Sequence, residues 1–451
     1  MFLTRFALPL GEKASKVPEP MARVVLISTY EMGRQPFGLA SPAAWLRRGG
    51  SEVACLDLSR EPLRETVVRW ADWIAVHVPM HTATRLAARL VPRLKRLNPG
   101  AKLCFYGLYA PVNEEYLRAL GADAILGGEF EDGLAALADG GGVANQPVSL
   151  ARQKFVPPDR DGLPALANYA KLRLPDGVRR VVGYTEASRG CKHVCRHCPI
   201  VPVYEGTFRV VQPEVVLEDI RRQVAHGAGH ITFGDPDFFN GPTHGMRIVK
   251  GLHREHPGLT YDVTIKVEHL LQHSDLLAAL GETGCLFVTS AVESFDDHVL
   301  GLLDKGHTRD GVLRVVELFR QLGLTLAPTF VPFTPWTTLQ SYQEFLWLLV
   351  ELGLVEHVAP IQLAIRLLIT PGSRLLELPE IGDLVGEFDP QGLCHRWRHE
   401  DARVEQLCDK VQQIVNAGEL DAAEHARLSE EMRALSARNT WEGVEKDFRE
   451  L

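Results

Sequence analysis

Three closely spaced cysteines are the residues of this chain best suited to chemistry. Cys191, Cys195 and Cys198 follow the spacing C-x3-C-x2-C. Cysteine thiolates are preferred ligands of iron–sulfur clusters and of zinc. Three thiolates leave one iron of a four-iron cluster open, whereas a structural zinc site needs a fourth ligand, which His193 or His197 could supply. The spacing alone leaves both kinds of site open.

The elements around the cysteines narrow the choice. An apolar run at 181–184 predicts a strand before them, and the pattern from about 212 to 226 predicts a helix after them. A strand, a cysteine loop and a helix at the start of repeated β/α units resemble the radical S-adenosylmethionine (radical SAM) superfamily. The resemblance implies a [4Fe–4S] cluster on the three cysteines, with S-adenosylmethionine (SAM) chelated at the open iron. In that family, reductive cleavage of the sulfonium generates a carbon radical.

The β/α pattern restarts at Val181 and continues to about residue 384. Further strands are predicted from His230 and at 260–265, 286–290, 325–331 and 360–369. Six β/α units over 181–384 predict the partial (β/α)6 barrel typical of the resembled superfamily. Ligands of such barrels lie at the carboxyl ends of the strands, so we expect residues that directly follow a strand to line the site.

The first of these segments is Gly234-Asp235-Pro236-Asp237, after the second barrel strand. Radical SAM proteins usually bind the methionyl amine of SAM at this point, through backbone carbonyls and an acidic side chain. The resemblance therefore implies that Gly234, Asp235 and Asp237 contact the cofactor. The other reading is a turn in which the aspartates serve only the turn conformation.

Two charged residues follow the third barrel strand. Lys266 and Glu268 alternate with Ile265 and Val267, which places both charges on one face. In a barrel that face is the interior, where unpaired charge is costly, so the two side chains need a ligand or each other. We expect Lys266 to pair with the methionyl carboxylate of SAM.

The segment after the fourth strand carries a second resemblance. Ser290-Ala-Val-Glu293-Ser294 is similar to the Gly-x-Glu-Ser segment that binds the SAM ribose, with Ser290 near a position where glycine is common. The downstream Asp304-Lys-Gly-His-Thr308 matches a continuation found in cobalamin-type members. The resemblance implies that Glu293 accepts a hydrogen bond from a ribose hydroxyl.

Two further residues are candidate cofactor contacts with an open alternative. His197 stands where family members often carry an aromatic residue, which implies backbone contact with the adenine, although its imidazole could equally lie on the surface. Arg366 is isolated among leucines and isoleucines. It is either a buried site residue or a residue that points outward from the barrel rim.

Strands and helices also alternate in the first third of the chain. Apolar runs predict strands at 24–28, 53–56, 73–78, 102–106 and 124–126, and segments with apolar residues three and four apart predict helices at 42–48, 84–97 and 113–120. Short connections between them predict a doubly wound, Rossmann-like parallel sheet. We expect the loops at 30–33, 107–109 and 127–131 to line its ligand edge.

This layout, ending in Gly-Gly-Glu-Phe-Glu, resembles the cobalamin-binding domain that precedes many radical SAM modules. The resemblance covers roughly residues 22–140, within a predicted domain at 1–140. The Asp-x-His-x-x-Gly motif that gives a histidine to cobalt is absent, and the loop at 29–38 stands in its place. We expect that any bound cobalamin has no histidine ligand from this chain. A retained cofactor and a retained fold without the cofactor both remain open.

Two segments flank the predicted barrel. Residues 141–180 are rich in Gly, Pro and Asp and predict a linker. Residues 385–451 predict a helical cap over the open side of the barrel, so that Cys394, His395, Trp397 and His399 would close over the substrate. The linker and this cap resemble radical SAM proteins of natural-product clusters, namely the arsinothricin-biosynthesis group and the group with an Ala-Glu-Pro tail. That tail is missing, because the chain ends in Phe-Arg-Glu-Leu.

Composition limits the partners. The net charge of −8 is spread along the chain without a lysine- or arginine-rich block, which argues against nucleic acid. Scattered cysteines outside the motif indicate a reducing, cytoplasmic setting, and the most apolar stretch carries charges that exclude a membrane span. We expect a small-molecule substrate and an external electron donor such as flavodoxin or ferredoxin.

The resemblance implies transfer of the 3-amino-3-carboxypropyl group of SAM to trivalent arsenic. Arsenic is thiophilic, so Cys394 is the candidate substrate ligand. Two rival functions remain: a cobalamin-dependent radical SAM methyltransferase acting on a small molecule, and a metal-cluster binding protein without turnover.

Overall fold

The computed structural model describes residues 22–142 and 146–417. Two parallel sheets dominate this part of the chain, and the predicted fold class is confirmed. No helix among the described residues combines the length and apolar character that a membrane span requires. The last part of the predicted helical cap, residues 418–451, lies outside the described residues.

The N-terminal sheet has six parallel strands in the order β2-β1-β3-β4-β5-β6. The strands are β1 (Arg23–Ser28), β2 (Glu52–Asp57), β3 (Trp73–His77), β4 (Lys102–Tyr106), β5 (Ala124–Gly128) and β6 (Val148–Ser149). The helices are α1 (Phe37–Arg48), α2 (Glu65–Trp70), α3 (His81–Leu97), α4 (Tyr109–Val112), α5 (Glu114–Ala119) and α6 (Glu131–Ala138). The strand order reverses between β1 and β3, which makes a switch point at the carboxyl edge.

Strands of this sheet could be predicted from the sequence because both faces of the sheet are buried. Val24 to Ile27 of β1 are all buried, with side chains that alternate between two apolar clusters. A parallel strand covered by helices on both sides reads as a continuous apolar run. Helix α3 shows the matching amphipathic pattern, with Ala83, Ala87, Val91 and Leu94 buried.

The second sheet forms the partial barrel, in the order β14-β13-β12-β11-β8-β7. Its strands and the small β9–β10 ladder are β7 (Lys171–Arg173), β8 (Arg179–Thr185), β9 (Ser188–Gly190), β10 (Phe208–Val210), β11 (His230–Phe233), β12 (Thr260–Thr264), β13 (Cys285–Glu293) and β14 (Thr325–Phe330). Strands β8 and β11–β14 are parallel, whereas β7 runs antiparallel to β8. The helices are α7 (Val201–Tyr204), α8 (Pro213–Ala225), α9 (Pro242–Glu255), α10 (Val267–Gln272), α11 (Leu277–Glu282), α12 (Asp297–Leu303), α13 (Arg309–Leu322) and α14 (Leu339–Glu351).

The sixth predicted barrel strand, 360–369, does not form a ladder. Its first residues are a 3-10 turn (Pro360–Leu363), and the extended chain after it makes one parallel bridge, between Phe333 and Arg366. Several of its apolar side chains are buried all the same, namely Leu363, Leu367 and Ile369, whereas Ile361 is exposed. Burial of apolar residues does not require a strand, which is why the pattern was misleading.

The C-terminal segment also departs from the predicted helical cap at its start. It forms an antiparallel hairpin of β15 (Val385–Asp389) and β16 (Cys394–Trp397), followed by helix α15 (Ala402–Ala417). Trp397 is buried against Val299, Leu303 and Leu367, and its indole nitrogen donates to the Leu367 carbonyl at 2.8 Å. The hairpin is therefore anchored to the barrel by a small apolar cluster of its own.

One arginine of the β9–β10 ladder contacts acidic residues that follow β5 of the N-terminal sheet. Arg189, on β9, donates two hydrogen bonds to the Glu131 carboxylate at 2.9 and 2.7 Å and one to Glu186 at 2.7 Å. Its guanidinium also lies 3.6 Å from Glu129 and stacks on the ring of Phe130. Glu129 and Glu131 belong to the N-terminal sheet and α6, so this network joins the two halves of the molecule.

The buried network predicts a large cost for removing its cation. Arg189→Leu leaves three carboxylates without their partner, and breaking a buried ion pair from one side costs about 3–5 kcal/mol. The matched control is Arg23→Leu, because Arg23 pairs with Asp72 at the exposed surface, where such pairs contribute about 1 kcal/mol or less. Urea unfolding of both variants measures the difference. Equal losses of unfolding free energy would contradict the assignment.

Candidate active site

The loop that carries Cys191, Cys195 and Cys198, which we call the cysteine loop, is held in place by hydrogen bonds on both sides. At its start, buried Asp235 accepts hydrogen bonds from the Ala187 backbone at 2.9 Å and from the Ser188 hydroxyl at 2.5 Å. At its end, the backbone nitrogen of Arg196 donates to the Leu303 carbonyl at 2.9 Å. These bonds fix the three cysteines at the carboxyl end of the barrel.

Gly190, directly before Cys191, adopts a φ of +74°, and a Cβ there would lie 2.4 Å from the Tyr204 ring. A residue with a side chain would strain the backbone and clash with the tyrosine. Glycine is therefore required where the chain turns into the loop.

Positive charge surrounds the cysteines. The Lys266 ammonium, which is buried, lies 3.7 Å from the Cys195 sulfur. Burial raises the pKa of the Cys198 thiol to about 12, so a bound metal must supply the charge that converts such thiols to thiolates. Buried lysine beside three soft ligands fits an anionic cluster of iron, sulfide and thiolates.

The two histidines that could close a zinc site are engaged elsewhere. The His193 ring lies 3.3 Å from Nε2 of His269 and 3.4 Å from Glu268. The His197 ring lies 3.3 Å from Glu293. With both imidazoles turned to other partners, the geometry favours three cysteine ligands and an open coordination position over a closed zinc site.

Glu293 is held in a strained and strongly charged position. Its φ is +68°, which is uncommon for a residue with a side chain and is typical of functional sites. Burial alone would raise its pKa, but Lys305 at 3.3 Å and the hydrogen bond from His197 lower the pKa of Glu293 to about 2. The carboxylate is therefore ionised across the physiological range.

Several buried polar atoms near these residues have no partner among the described residues. They are the Ser290 hydroxyl and the Nδ1 atoms of His197 and His307. Leaving such groups unpaired costs free energy, so their presence around Glu293 points to a polar ligand. SAM, with its ribose hydroxyls, adenine nitrogens and amino-acid group, fits this set of donors and acceptors.

Both aspartates of the segment after β11 are used by the protein itself. Asp235 holds the cysteine loop, and Asp237 accepts from the Phe239 backbone at 3.1 Å and from the His269 ring at 2.7 Å. Gly234 lies against Tyr184, where a Cβ would be 1.8 Å from the tyrosine hydroxyl. A cofactor contact at this segment therefore falls to its backbone.

Lys266 and Glu268 lie 3.6 Å apart, in agreement with the expectation that they need each other or a ligand. Arg366 is placed differently from a cofactor contact. Its guanidinium binds Glu405 at 2.8 and 2.9 Å and lies 3.7 Å from the centre of the Trp397 ring. These contacts indicate that Arg366 packs the C-terminal segment against the barrel.

Cys394 also lies away from the cysteine loop. It lines an outer cavity between the β15–β16 hairpin and helix α3, together with His81, Arg85 and Arg396. No described contact connects it to the three clustered cysteines. Among the remaining cysteines, Cys285 and Cys408 are buried in the barrel core.

A second cavity, of about 220 Å³, lies between the two sheets beside the cysteine loop. We call it the interdomain cavity. Its walls include Glu31, Met32 and Arg34 from the loop after β1, and Tyr184, Glu186 and Gly190 from the barrel. The loops at 30–33, 107–109 and 127–131 all contribute, as expected from the strand pattern. The lining combines carboxylates, a tyrosine and an arginine with apolar side chains such as Phe37, Met80 and Phe130.

Sequence reasoning missed the residues that join the elements of the site. Arg189 lies in the entry to the cysteine loop, but its partners Glu129 and Glu131 are about sixty residues earlier in the chain. One sequence signal could have predicted this contact: Glu129 and Glu131 lie at the ligand edge of the first sheet, and buried carboxylates need a cation. Lys305 lies in the 304–308 segment, which resembles cobalamin-type family members, but the sequence did not predict a role for this lysine.

Two families match the chain over its two sheets. Residues 23–138 match the B12 binding domain and residues 185–345 match the radical SAM superfamily. Hopanoid C-3 methylase of Methylococcus capsulatus is 28% identical over 67% of this chain and 62% of that protein. A tRNA-2-methylthio-N(6)-dimethylallyladenosine synthase of Chlorobium phaeovibrioides is 30% identical over 32% of this chain and 34% of its own length. This chain therefore spans less than two thirds of the length of each.

Solved structures show the same fold. OxsB, a cobalamin-dependent SAM radical enzyme with aqua-cobalamin and SAM bound, has a TM-score of 0.67 at 13% identity, covering 92% of this chain and 71% of that one. TsrM from Kitasatospora setae, a radical SAM methyltransferase with cobalamin and a [4Fe–4S] cluster bound, has a TM-score of 0.56 at 18% identity, covering 74% and 71%. The matches imply a [4Fe–4S] cluster and SAM, and make cobalamin a possible cofactor.

The cysteine assignment predicts a specific loss of iron. Cys195→Ala should fail to retain a [4Fe–4S] cluster after anaerobic reconstitution, because one of three thiolate ligands is gone. Cys394→Ser is the matched control and should keep the full iron and sulfide content, since that residue lines the outer cavity. Iron and sulfide analysis with visible absorbance measures both. A complete cluster in the Cys195→Ala protein would contradict the assignment.

Glu129 predicts a pH dependence of stability. Burial raises its pKa to about 7, although Arg189 acts in the opposite direction. The folded state therefore favours the protonated form, and stability is lost as pH rises from about 4.5 through 7. Glu129→Gln should remove roughly 3 kcal/mol of this loss at most. Melting temperatures at pH 5 and pH 8 measure the effect, with Glu114→Gln at the surface as the control. Identical pH profiles for all three proteins would contradict it.

Proposed function

We propose that this radical SAM enzyme, which carries a B12-binding domain, transfers the 3-amino-3-carboxypropyl group of SAM to trivalent arsenic. The observation that carries the proposal is the small interdomain cavity directly beside the cysteine loop, which presents carboxylates among apolar side chains. The resemblance of the linker and the C-terminal segment to the arsinothricin-biosynthesis group supplies the substrate class.

The chain's own residues divide into cluster ligands and cofactor contacts. Cys191, Cys195 and Cys198 hold the [4Fe–4S] cluster, which supplies one electron to the SAM sulfonium when it is bound. Lys266 pairs with the methionyl carboxylate, and Ser290 and Glu293 bind the ribose, where a hydroxyl and an ionised acceptor are available. The Gly234 backbone and His197 complete the cofactor site. An external one-electron donor such as flavodoxin or ferredoxin reduces the cluster.

The interdomain cavity suits arsenous acid as the acceptor. Arsenous acid is small and uncharged at neutral pH, and its hydroxyl groups donate hydrogen bonds. Glu31 and Glu186 each use one carboxylate oxygen within the protein, for His77 and Arg189 respectively. Their second oxygens remain as acceptors on the cavity wall.

The overall reaction balances as SAM plus arsenous acid giving 5′-methylthioadenosine, an aminocarboxypropyl arsonate and a proton. The electron given to the sulfonium would remain on sulfur with one electron of the broken bond, and the other electron of that bond leaves on carbon as a radical. The carbon radical would bond to arsenic, and the adduct would return one electron to the oxidised cluster as arsenic becomes pentavalent, so that no net electron is consumed.

Cys394 is not the arsenic ligand in this proposal. The outer cavity that it lines is formed by the hairpin and α3, whereas the interdomain cavity is lined by the cysteine loop. Oxygen acceptors therefore replace the thiolate that the sequence suggested.

A second candidate function is cobalamin-dependent methylation of a small molecule. It is favoured by the matched B12 binding domain and by the similarity to hopanoid C-3 methylase and TsrM. In that case the cavity between the sheets would hold a corrin, and the products from SAM would be 5′-deoxyadenosine and S-adenosylhomocysteine. The two functions therefore leave different products.

The deciding experiment incubates reduced holoenzyme with SAM and arsenite under anaerobic conditions. We expect 5′-methylthioadenosine and an arsenic-bearing amino acid in equal amounts by mass spectrometry. Cys394→Ser should form both products at the wild-type rate, and Cys195→Ala should form neither. Formation of 5′-deoxyadenosine without any arsenical would reject the arsenic reaction.

A further inference from the structure

The crevice where an open α/β sheet binds its ligand is filled in this chain. Such sheets take ligands outside the carboxyl ends of the strands, at the point where the strand order reverses. In the N-terminal sheet that point lies between β1 and β3. His77, the last residue of β3, and Glu31, from the loop after β1, meet across it at 2.7 Å. A hydrogen bond therefore spans the crevice.

Two glycines make the space that the His77 ring occupies. A Cβ on Gly38, at the start of α1, would lie 2.0 Å from Cε1 of His77, and a Cβ on Gly107, after β4, would lie 2.9 Å from Cδ2. The ring therefore lies between two backbone segments that carry no side chain at these two positions. His77 itself is only 6% exposed. The room that these glycines provide is used by the protein and is closed to a bulky ligand.

The ring is also locked in this position. Glu31 accepts from Nδ1, and the rings of Tyr106 and Phe130 lie 5.1 and 6.0 Å from the imidazole, centre to centre. The Tyr106 hydroxyl donates to the Gly38 carbonyl at 2.8 Å, which ties the start of α1 to the same cluster. Moving the ring would break a buried hydrogen bond and a packed aromatic group together.

We infer that His77 is the residue that excludes cobalamin from the B12-binding domain of this chain. Cobalamin carries a corrin ring with a long nucleotide arm, and the residues present at the switch point do not fit it. What remains open is the interdomain cavity of about 220 Å³, which is large enough for a small polar molecule. The domain has its own apolar core and is joined to the barrel where Glu129 and Glu131 bind Arg189. It serves as one wall of the site.

The test measures corrinoid binding directly and needs neither SAM nor arsenite, so its outcome is independent of the proposed reaction. Cluster-loaded wild type, His77→Ala and His81→Ala are each incubated with hydroxocobalamin and desalted. His81 is the matched control because it also follows β3, but its ring bonds to the Gly392 carbonyl, outside the crevice. Corrin absorbance and cobalt per chain are read against iron per chain, which reports an intact protein.

We expect wild type and His81→Ala to retain almost no cobalt and His77→Ala to bind at least about tenfold more tightly than wild type. Stoichiometric cobalamin on the wild-type protein would overturn the inference, whatever the variants do. An iron-replete His77→Ala protein with no gain in affinity would overturn it as well. If His77→Ala loses iron, His77→Ser takes its place in the comparison under the same two criteria.

Discussion

A buried guanidinium that cannot lose its proton sets the arrangement of this molecule. Burial alone would lower the pKa of Arg189, but the carboxylates of Glu131, Glu186 and Glu129 raise it well above its usual value. Charge buried at that depth must be matched, and two of the three acids come from the N-terminal sheet. Arg189 lies two residues before Cys191, so matching its charge fixes the cysteine loop against the first sheet. The interdomain cavity is the space left between the two surfaces once this contact is made.

Buried charges are paired on the other side of the cysteine loop as well. Lys266 and Lys305 are buried cations, and each has a carboxylate within 3.6 Å, from Glu268 and Glu293 respectively. A cluster with three thiolates adds negative charge at this position, and SAM adds a cationic sulfonium with a carboxylate. The protein thus presents paired charges that can exchange one partner for a ligand without leaving a buried charge alone. Such preorganisation lowers the cost of binding.

The sequence predicted those features that depend on local pattern. Continuous apolar runs predicted five strands of the first sheet, β1 to β5, whereas β6 lies in the predicted linker. Lys266 is buried as expected, but it lies between β12 and α10 with Ile265 and Val267 also buried, so alternation along a strand is not the reason. The run at 360–369 misled because a 3-10 turn and two isolated bridges stand there in place of a strand ladder. The contacts of Arg366 and Cys394 could not be predicted from sequence for a different reason. Their surroundings come from residues such as Glu405 and His81, which local periodicity does not relate to them.

Side-chain size at one strand end separates this chain from a cobalamin carrier with the same fold. The sheet, the switch point and the glycines Gly38 and Gly107 are those of a ligand-binding domain, yet the His77 ring occupies the space between the glycines. Fold similarity above a TM-score of 0.6 to OxsB is compatible with this difference, because one ring changes the volume of a crevice without changing the sheet. The N-terminal domain then contributes charge and a wall to the active site.

The most direct measurement compares SAM cleavage by corrinoid-free, cluster-loaded enzyme with and without added hydroxocobalamin, under the same reductant and acceptor. If the N-terminal domain acts as a wall of the site, the rate is the same in both samples. A reaction that occurs only after cobalamin is added would contradict this account of the domain.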